Sequence, residues 1–369
     1  MSQHSKLHRL RFLLFPFSLL YGVAISFRHK FFDWGVYKSV RFKIPLICIG
    51  NITVGGTGKT PHIEYLIKLL SKNFKVATLS RGYKRKTSGY LLADKNASPN
   101  SIGDEPYQLF KKFKNIDVAV AEKRVLGVEN LLKDREQLNA ILLDDAFQHR
   151  HIQAGLNIVL IDFNRPVFKD HLLPAGNLRD KRSQLKRADI LIVSKTPDTI
   201  SDIEKRLWIK ELNPFPYQKL FFTTIRYGLM QSVFQENKTG QSLSDLARNS
   251  TEVLLISGIA RPEPLIQKLK SQGITLTSMI FPDHHNFSKE DISKVIRRFN
   301  QLKGKEKVLL TTEKDAVRLI EFKNEFKSIK PQCYYLPIEV AFLNNDNKEF
   351  DKIITNYVGK NKKIGQLYS

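Results

Sequence analysis

Beyond residue 40, short apolar runs alternate with stretches whose apolar positions recur at helical spacing. Residues 44–49, 76–79, 118–121, 140–143, 158–161 and 190–193 are near-continuous apolar runs. Strands covered by helices on both faces read this way, whereas strands with one wet face alternate. A Gly-rich turn follows the first run and leads into a helix expected over 61–70. This strand–helix rhythm predicts an α/β fold with a doubly wound, mostly parallel sheet. Residues 220–225 are expected to close that domain. Residues 227–249 are polar and rich in Gln, Asn, Ser and Gly, which suggests a linker or a β-ribbon. A second, smaller α/β unit is expected from strands at 253–256, 276–280 and 308–310, with helices after Pro262 and from about Lys289. The basic tail, 360–369, reads as frayed. The expected organisation is therefore an N-terminal helix over 1–30, a main domain over 31–226, a linker or ribbon over 227–250 and a smaller domain over 251–369.

The N-terminal pattern differs from the rest. Residues 12–27 carry no charge, with Arg9 and Arg11 before them and Arg28 and Lys30 after. The run is apolar all round, unlike a helix resting one stripe on a core. It is shorter than the roughly 20 residues a bilayer span needs, and Pro16 and Gly22 interrupt it. A shallow, membrane-associated anchor fits, its flanking cations meeting lipid phosphates. A signal peptide ending near Ala24-Ile25-Ser26 and an ordinary buried helix are the rival readings.

Composition narrows the classes further. The 369 residues are 42% hydrophobic and 26% charged, enough for packed cores and against wholesale disorder. The two cysteines, Cys48 and Cys333, suggest a reduced protein without a disulfide framework. Sixty Lys and Arg against 36 Asp and Glu give a formal net charge of +24, which calls for an anionic partner. No zinc-finger spacing, RNA-binding signature or interleaved aromatic–cationic stripe is present, so no nucleic acid is expected, and no protein partner is predicted.

The sharpest chemical signal is Gly50-Asn51-Ile52-Thr53-Val54-Gly55-Gly56-Thr57-Gly58-Lys59-Thr60, placed between the first strand and its helix. Glycines let backbone N–H groups wrap a phosphate, and the helix N-terminus adds its dipole. In this P-loop reading Thr53, Val54, Gly55, Gly56, Thr57 and Gly58 form an ATP cradle, Lys59 bridges the β- and γ-phosphates, and Thr60 holds Mg²⁺. Thr53 stands where the generic motif has Gly. The strand at 140–143 ends in Asp144 and Asp145, the form of a Walker B element, and either carboxylate could meet the metal. Asp104, in Gly103-Asp104-Glu105-Pro106, reads in isolation as a helix cap. His284 and His285 follow a predicted strand and suit acid–base chemistry or the orientation of a carboxylate.

Together these stretches resemble the tetraacyldisaccharide 4′-kinase family of Gram-negative bacteria. Ser80-Arg81-Gly82-Tyr83, Asp144-Asp145-Ala146-Phe147-Gln148-His149, Leu173-Pro174-Ala175-Gly176, Pro282-Asp283-His284-His285 and Thr312-Glu313-Lys314-Asp315 continue the match in order. The resemblance implies a kinase that moves the γ-phosphate of ATP to the 4′-hydroxyl of an acylated disaccharide 1-phosphate, a lipid A precursor, at the cytoplasmic face of the inner membrane. It also implies Asp104 as catalytic base supported by His284, Asp144 and Asp145 as the metal-associated pair, and Gln148 and His149 beside the nucleotide. Ala146 stands where the family usually has Gly, and Asp180 where Glu is more usual. Arg81, Lys84, Arg85 and Lys86 could meet the substrate's existing phosphate, or form a solvated basic loop. The alternative is a P-loop GTPase or ATPase switch, or a metal-insertion protein, with no lipid substrate. It would want an Asn-Lys-x-Asp after a strand, which Ser194-Lys195-Thr196-Pro197 approximates poorly.

Overall fold

The computed structural model describes residues 13–235, 240–283 and 285–367. The apolar runs form the middle of a nine-stranded sheet. Its order is Ile338–Phe342, Lys219–Tyr227, Ile190–Ser194, Leu156–Asp162, Leu46–Asn51, Ala140–Asp144, Val76–Ser80, Asp117–Val120 and Leu91–Leu92. Neighbours are parallel except at the two edges, where Ile338–Phe342 and Leu91–Leu92 pair antiparallel. Alternate residues feed opposite cores. Cys48, Leu79, Leu143, Val159 and Val193 pack on one face. Ile47, Ile49, Val76, Leu142, Leu160 and Ile192 pack on the other. The helix Lys59–Leu70 covers the second face with Ile63, Leu66, Ile67 and Leu70, each nearly inaccessible. At about 1.5–3 kcal/mol per buried aliphatic side chain, this one helix contributes roughly 6–12 kcal/mol of gross burial.

A second sheet runs Gln231–Ser232, Cys333–Leu336, Lys307–Thr312, Glu252–Ser257 and Thr275–Ile280, all parallel but for the short first strand. Helix Lys289–Asn300 buries Ile292, Val295 and Phe299 on one side of it, and Glu263–Ser271 buries Leu265 and Leu269 on the other.

Three sequence expectations change. The segment expected as linker or ribbon over 227–250 contributes the edge strand Gln231–Ser232 and the helix Leu243–Arg248, although 236–239 lie outside the described residues. The C-terminal segment, expected to belong wholly with 251–369, returns to the large sheet. Ile338–Phe342 pairs there with Lys219–Tyr227, and the helix Asn347–Leu367 buries Phe350, Ile354 and Val358 beneath it. That helix runs through most of the tail expected to fray.

The N-terminal helix spans Phe15–Asp33 and is not apolar all round in its setting. Ser18, Gly22, Ile25, His29 and Phe32 form a buried stripe, while Phe17, Leu20 and Phe27 face outward at 60%, 68% and 53% exposure. Among the described residues, no helix is long and apolar enough to cross a membrane.

Candidate active site

The phosphate loop leaves the central strand Leu46–Asn51 and ends at Gly58, the left-handed N-cap of helix Lys59–Leu70. Gly55 and Gly58 have φ of 87° and 89°, conformations that L side chains rarely adopt. The loop's carbonyls are held from outside. Arg165 Nη1 donates to Val54 O at 2.9 Å, Lys195 Nζ to Gly56 O, and Ser194 Oγ to Thr57 O at 2.7 Å. Carbonyls drawn outward leave a nest of the kind that receives phosphate on its N–H groups. Asn51 Nδ2 donates to Thr57 Oγ1 at 2.9 Å, bracing the loop internally. His62 Nδ1 lies 2.7 Å from Gly58 O, an obligate acceptor, so Nδ1 carries the proton. Its Nε2 then accepts from Thr223 Oγ1 at 3.0 Å, and burial pushes the His62 pKa down to about 4.

The strand Ala140–Asp144 lies directly beside the loop strand, with Asp144 opposite Ile49. Asp144 and Asp145 are adjacent but differ chemically. Burial, then the charges of Glu105 and Asp145, push the Asp144 carboxyl up to about 7, and its Oδ1 is buried without a hydrogen-bond partner. Burial also opposes the charge on Asp145, but Lys59 and Arg179 outweigh it and hold that carboxyl below its ordinary range. Lys59 Nζ lies 3.7 Å from Asp145 Oδ1, and Arg179 Nη1 donates to Asp145 Oδ2 at 3.0 Å. Arg179 Nη2 reaches both Asp145 and Asn51, so one guanidinium joins the acidic turn to the phosphate-loop strand. An unpartnered buried carboxylate oxygen on the strand next to the phosphate-loop strand suits a hard divalent cation that takes its remaining ligands from phosphate. Among the described residues, no group of three or more His, Cys, Asp or Glu could hold a metal.

The acidic turn is pressed against the loop strand. A Cβ at Gly50 would lie 2.5 Å from Phe147 Cβ, so only glycine allows this approach. Gln148 Nε2 donates to Asn51 O at 2.8 Å, which makes Gln148 a brace of the loop strand. His149 Nε2 accepts from the backbone N–H of Arg124 at 3.3 Å, and burial followed by the Arg124 charge lowers its pKa to about 4.

Asp104 opens the helix Asp104–Lys112 and is not its cap. Gly103, with φ 92°, holds that place. The Asp104 carboxylate is paired with Arg318 from helix Glu313–Leu319 of the second sheet's unit. Arg318 Nη1 also donates to His285 O at 3.2 Å. His284 lies outside the described residues. The His285 ring stacks on Phe281 and its Nε2 lies 2.9 Å from Asp291 Oδ2, within the capping box of helix Lys289–Asn300. Of the basic loop, Arg81, Lys84 and Lys86 are exposed, but the Arg85 side chain is 2% exposed and bonds Glu122 and Gly89 O. Arg85 therefore builds the loop instead of facing substrate.

Several site residues left no sequence signal. Arg165, Lys195 and Asp162 buttress the loop, with Lys195 Nζ 2.9 Å from Asp162 Oδ2. The N-terminal helix joins the same framework. Ser18 Oγ donates to Leu172 O and accepts from Ala175 N–H, both at 3.0 Å, and Tyr21 Oη donates to Arg179 O at 3.0 Å. Arg28 donates to Gln148 O at 2.7 Å. His29 Nδ1 accepts from Arg150, so its Nε2 donates to the buried Asp180 carboxylate at 2.7 Å.

Residues 10–359 match the family model described as tetraacyldisaccharide-1-P 4′-kinase. The chain is 47% identical to the tetraacyldisaccharide 4′-kinase of Bacteroides thetaiotaomicron, over 94% of this chain and 93% of that one. It is 45% identical to that of Flavobacterium psychrophilum, over 95% and 97%. Among solved structures it is similar to the Aquifex aeolicus LpxK in complex with ATP, with a TM-score of 0.72 and 29% identity, covering 95% of this chain and 99% of that one.

Proposed function

Since the chain belongs to the tetraacyldisaccharide-1-P 4′-kinase family, we propose that Lys59, Thr60, Asp144, Asp145 and Asp104 carry the transfer of the ATP γ-phosphate to the 4′-hydroxyl of a tetraacyldisaccharide 1-phosphate. The protein is an ATP-dependent kinase of lipid A biosynthesis. Phosphoryl transfer needs in-line positioning, charge neutralisation and a base for the attacking hydroxyl. Residues 53–58 wrap the phosphates, and Lys59 meets the β- and γ-oxygens. Thr60 and Asp144 would hold Mg²⁺, with Asp145 beside them, and an ion held there would supply positive charge to offset the charge developing on the transferring phosphoryl group. Asp145 keeps Lys59 and Arg179 in register, and Gln148 and His149 steady the turn next to the nucleotide. Asp104 accepts the 4′-hydroxyl proton, with His284 as its supporting group.

The observation that carries this assignment is the split between adjacent carboxylates beside one phosphate cradle. Asp145 is clamped by two cations, while Asp144 keeps a bare, buried oxygen. The switch reading's Asn-Lys-x-Asp is matched at Lys195 alone, since Ser194 and Pro197 stand at the Asn and Asp positions.

The helix Phe15–Asp33 lies on the cytoplasmic face of the inner membrane. Its outward apolar residues, spaced as on one helical face, sink among acyl chains while Lys30 stays near the phosphates; Arg28, expected there too, turns inward to the Gln148 carbonyl. Acyl chains of the substrate reach the site from that surface. In the same reading the kinase unit comprises 31–226 together with the returning C-terminal strand and helix, and the smaller unit lies between them. The test is ATP-dependent labelling of detergent-dispersed tetraacyldisaccharide 1-phosphate by wild type and Asp104→Ala. Transfer should collapse in the variant while ATP binding persists; transfer retained in the variant removes Asp104 as base.

A further inference from the structure

The Thr312-Glu313-Lys314-Asp315 motif has no part in the chemistry above, yet Glu313 meets the catalytic unit at a buried charge cluster. Lys112 Nζ lies 2.6 Å from both Glu64 Oε2 and Glu313 Oε1. Gln108, one turn earlier on the same helix, donates to Glu64 Oε1 at 2.9 Å. Glu64 and Glu313 are 4% and 9% exposed, and Glu313 Oε2 is buried without a partner. Each of the three helices that meet here also carries a site residue. Glu64 follows Lys59 and Thr60 on the phosphate-loop helix, Lys112 ends the helix that Asp104 begins, and Glu313 begins the helix that carries Arg318.

Helices Asp104–Lys112 and Glu313–Leu319 are thus clasped at both ends, Asp104 to Arg318 and Lys112 to Glu313, which fixes them antiparallel. We infer that Lys112 is a positioning residue for phosphoryl transfer, holding the Asp104 helix in register with both the phosphate-loop helix and the helix bearing Arg318. It stands eight residues, about 12 Å of helix, from Asp104 and acts through it. The inference rests on the reading of Asp104 as base. A misplacement of about 1 Å at a reacting group costs on the order of a hundredfold in rate, so a small change of helix register suffices.

One cation between two buried carboxylates leaves the cluster short of positive charge. Burial, then the charge of Glu313, pushes the Glu64 carboxyl up to about 7. Tyr335 faces the same carboxylates, and Glu339, held by Lys68, also feels the charge of Lys112. Removing Lys112 therefore leaves two carboxylates whose repulsion grows as Glu64 loses its proton.

The test measures kcat, both KM values and Tm across the neutral pH range in the full chain, for Lys112→Met, Lys112→Arg, Glu313→Gln and Asp104→Asn. Lys112→Met should lower kcat at least about tenfold with KM for ATP little changed, and the loss should deepen as pH rises above about 7, because Lys112 no longer helps hold the Glu64 carboxyl down. Lys112→Arg should recover most of the rate, and adding Glu313→Gln to Lys112→Met should flatten the pH dependence. Wild-type kcat in a folded Lys112→Met, or a pH-independent loss that only tracks Tm, overturns the inference while Asp104→Asn remains inactive. Transfer retained by Asp104→Asn overturns the reading of the base and this inference with it.

Discussion

Gly50→Ala tests whether the close approach of the phosphate-loop strand and the acidic turn sets the rate. The new Cβ would lie 2.5 Å from Phe147 Cβ and 3.3 Å from Phe147 N. Carbon atoms prefer about 3.5–4.0 Å, so the two segments must separate by about 1 Å. Phe147 cannot yield by changing rotamer, because the clashing atoms are its Cβ and backbone nitrogen. Its ring is 1% exposed and lies beneath the Arg187 guanidinium. The turn must therefore move, and with it the Lys59–Asp145 pair at 3.7 Å and the Gln148–Asn51 bond at 2.8 Å. Overpacking of this kind costs about 1–3 kcal/mol in stability. A 1 Å shift of catalytic groups costs about a hundredfold in rate. The expected result is a kcat near 1% of wild type with only a few degrees lost in Tm. Gly359→Ala is the control: its Cβ meets nothing within 4 Å, and within a helix it should add about 0.5–1 kcal/mol. Wild-type kcat in Gly50→Ala would refute the argument, because the contact would then have been relieved without moving the acidic turn.

Arg179→Ala should lower kcat about a hundredfold or more, since Asp145 and Asn51 lose their shared partner; steady-state kinetics with the lipid acceptor checks this. Phe17→Glu combined with Leu20→Glu should abolish cosedimentation with anionic vesicles and leave Tm unchanged, because both side chains face outward. His62 is held neutral in the fold with a pKa of about 4, so below its ordinary 6.5 the unfolded chain takes up the proton first. That contribution, about 3 kcal/mol, is present above pH 6.5 and lost as pH falls toward 4; His62→Gln should flatten this part of the pH dependence of the urea midpoint. Chelation of divalent cations should stop transfer, and added Mg²⁺ should restore it, as measured by phosphate labelling.

The strands were legible because a parallel strand buried on both faces is apolar along its length, as 46–49 and 140–143 are before the polar ends Asn51 and Asp144. The phosphate loop was legible because its glycines answer to backbone geometry, a local demand. Ile338–Phe342 was missed because it is an antiparallel edge strand with only Val340 and Phe342 buried. The tail helix did carry a signal in Phe350, Ile354 and Val358 at fourfold spacing, but its many lysines masked it. Charge partnerships were invisible for a different reason. Arg318 meets Asp104 across 214 positions and Lys112 meets Glu313 across 201, and no local pattern encodes such pairings. For the N-terminal helix, Ser18 and Gly22 were the overlooked clue, since small residues in an apolar run mark the side that packs closely.

That helix has two faces answerable to different constraints. Its outward side can trade Phe, Leu and Val freely so long as it stays greasy, because nothing in the fold reads their shapes. Its inward side closes the carbonyls of Leu172, Arg179 and Gln148 and donates a hydrogen bond to the buried Asp180 carboxylate, all within or beside the catalytic loops. Cutting the chain after Asp33 to gain a more tractable enzyme would therefore remove part of the active-site scaffold along with the grease. Solubility would have to be sought on the outer face alone, residue by residue.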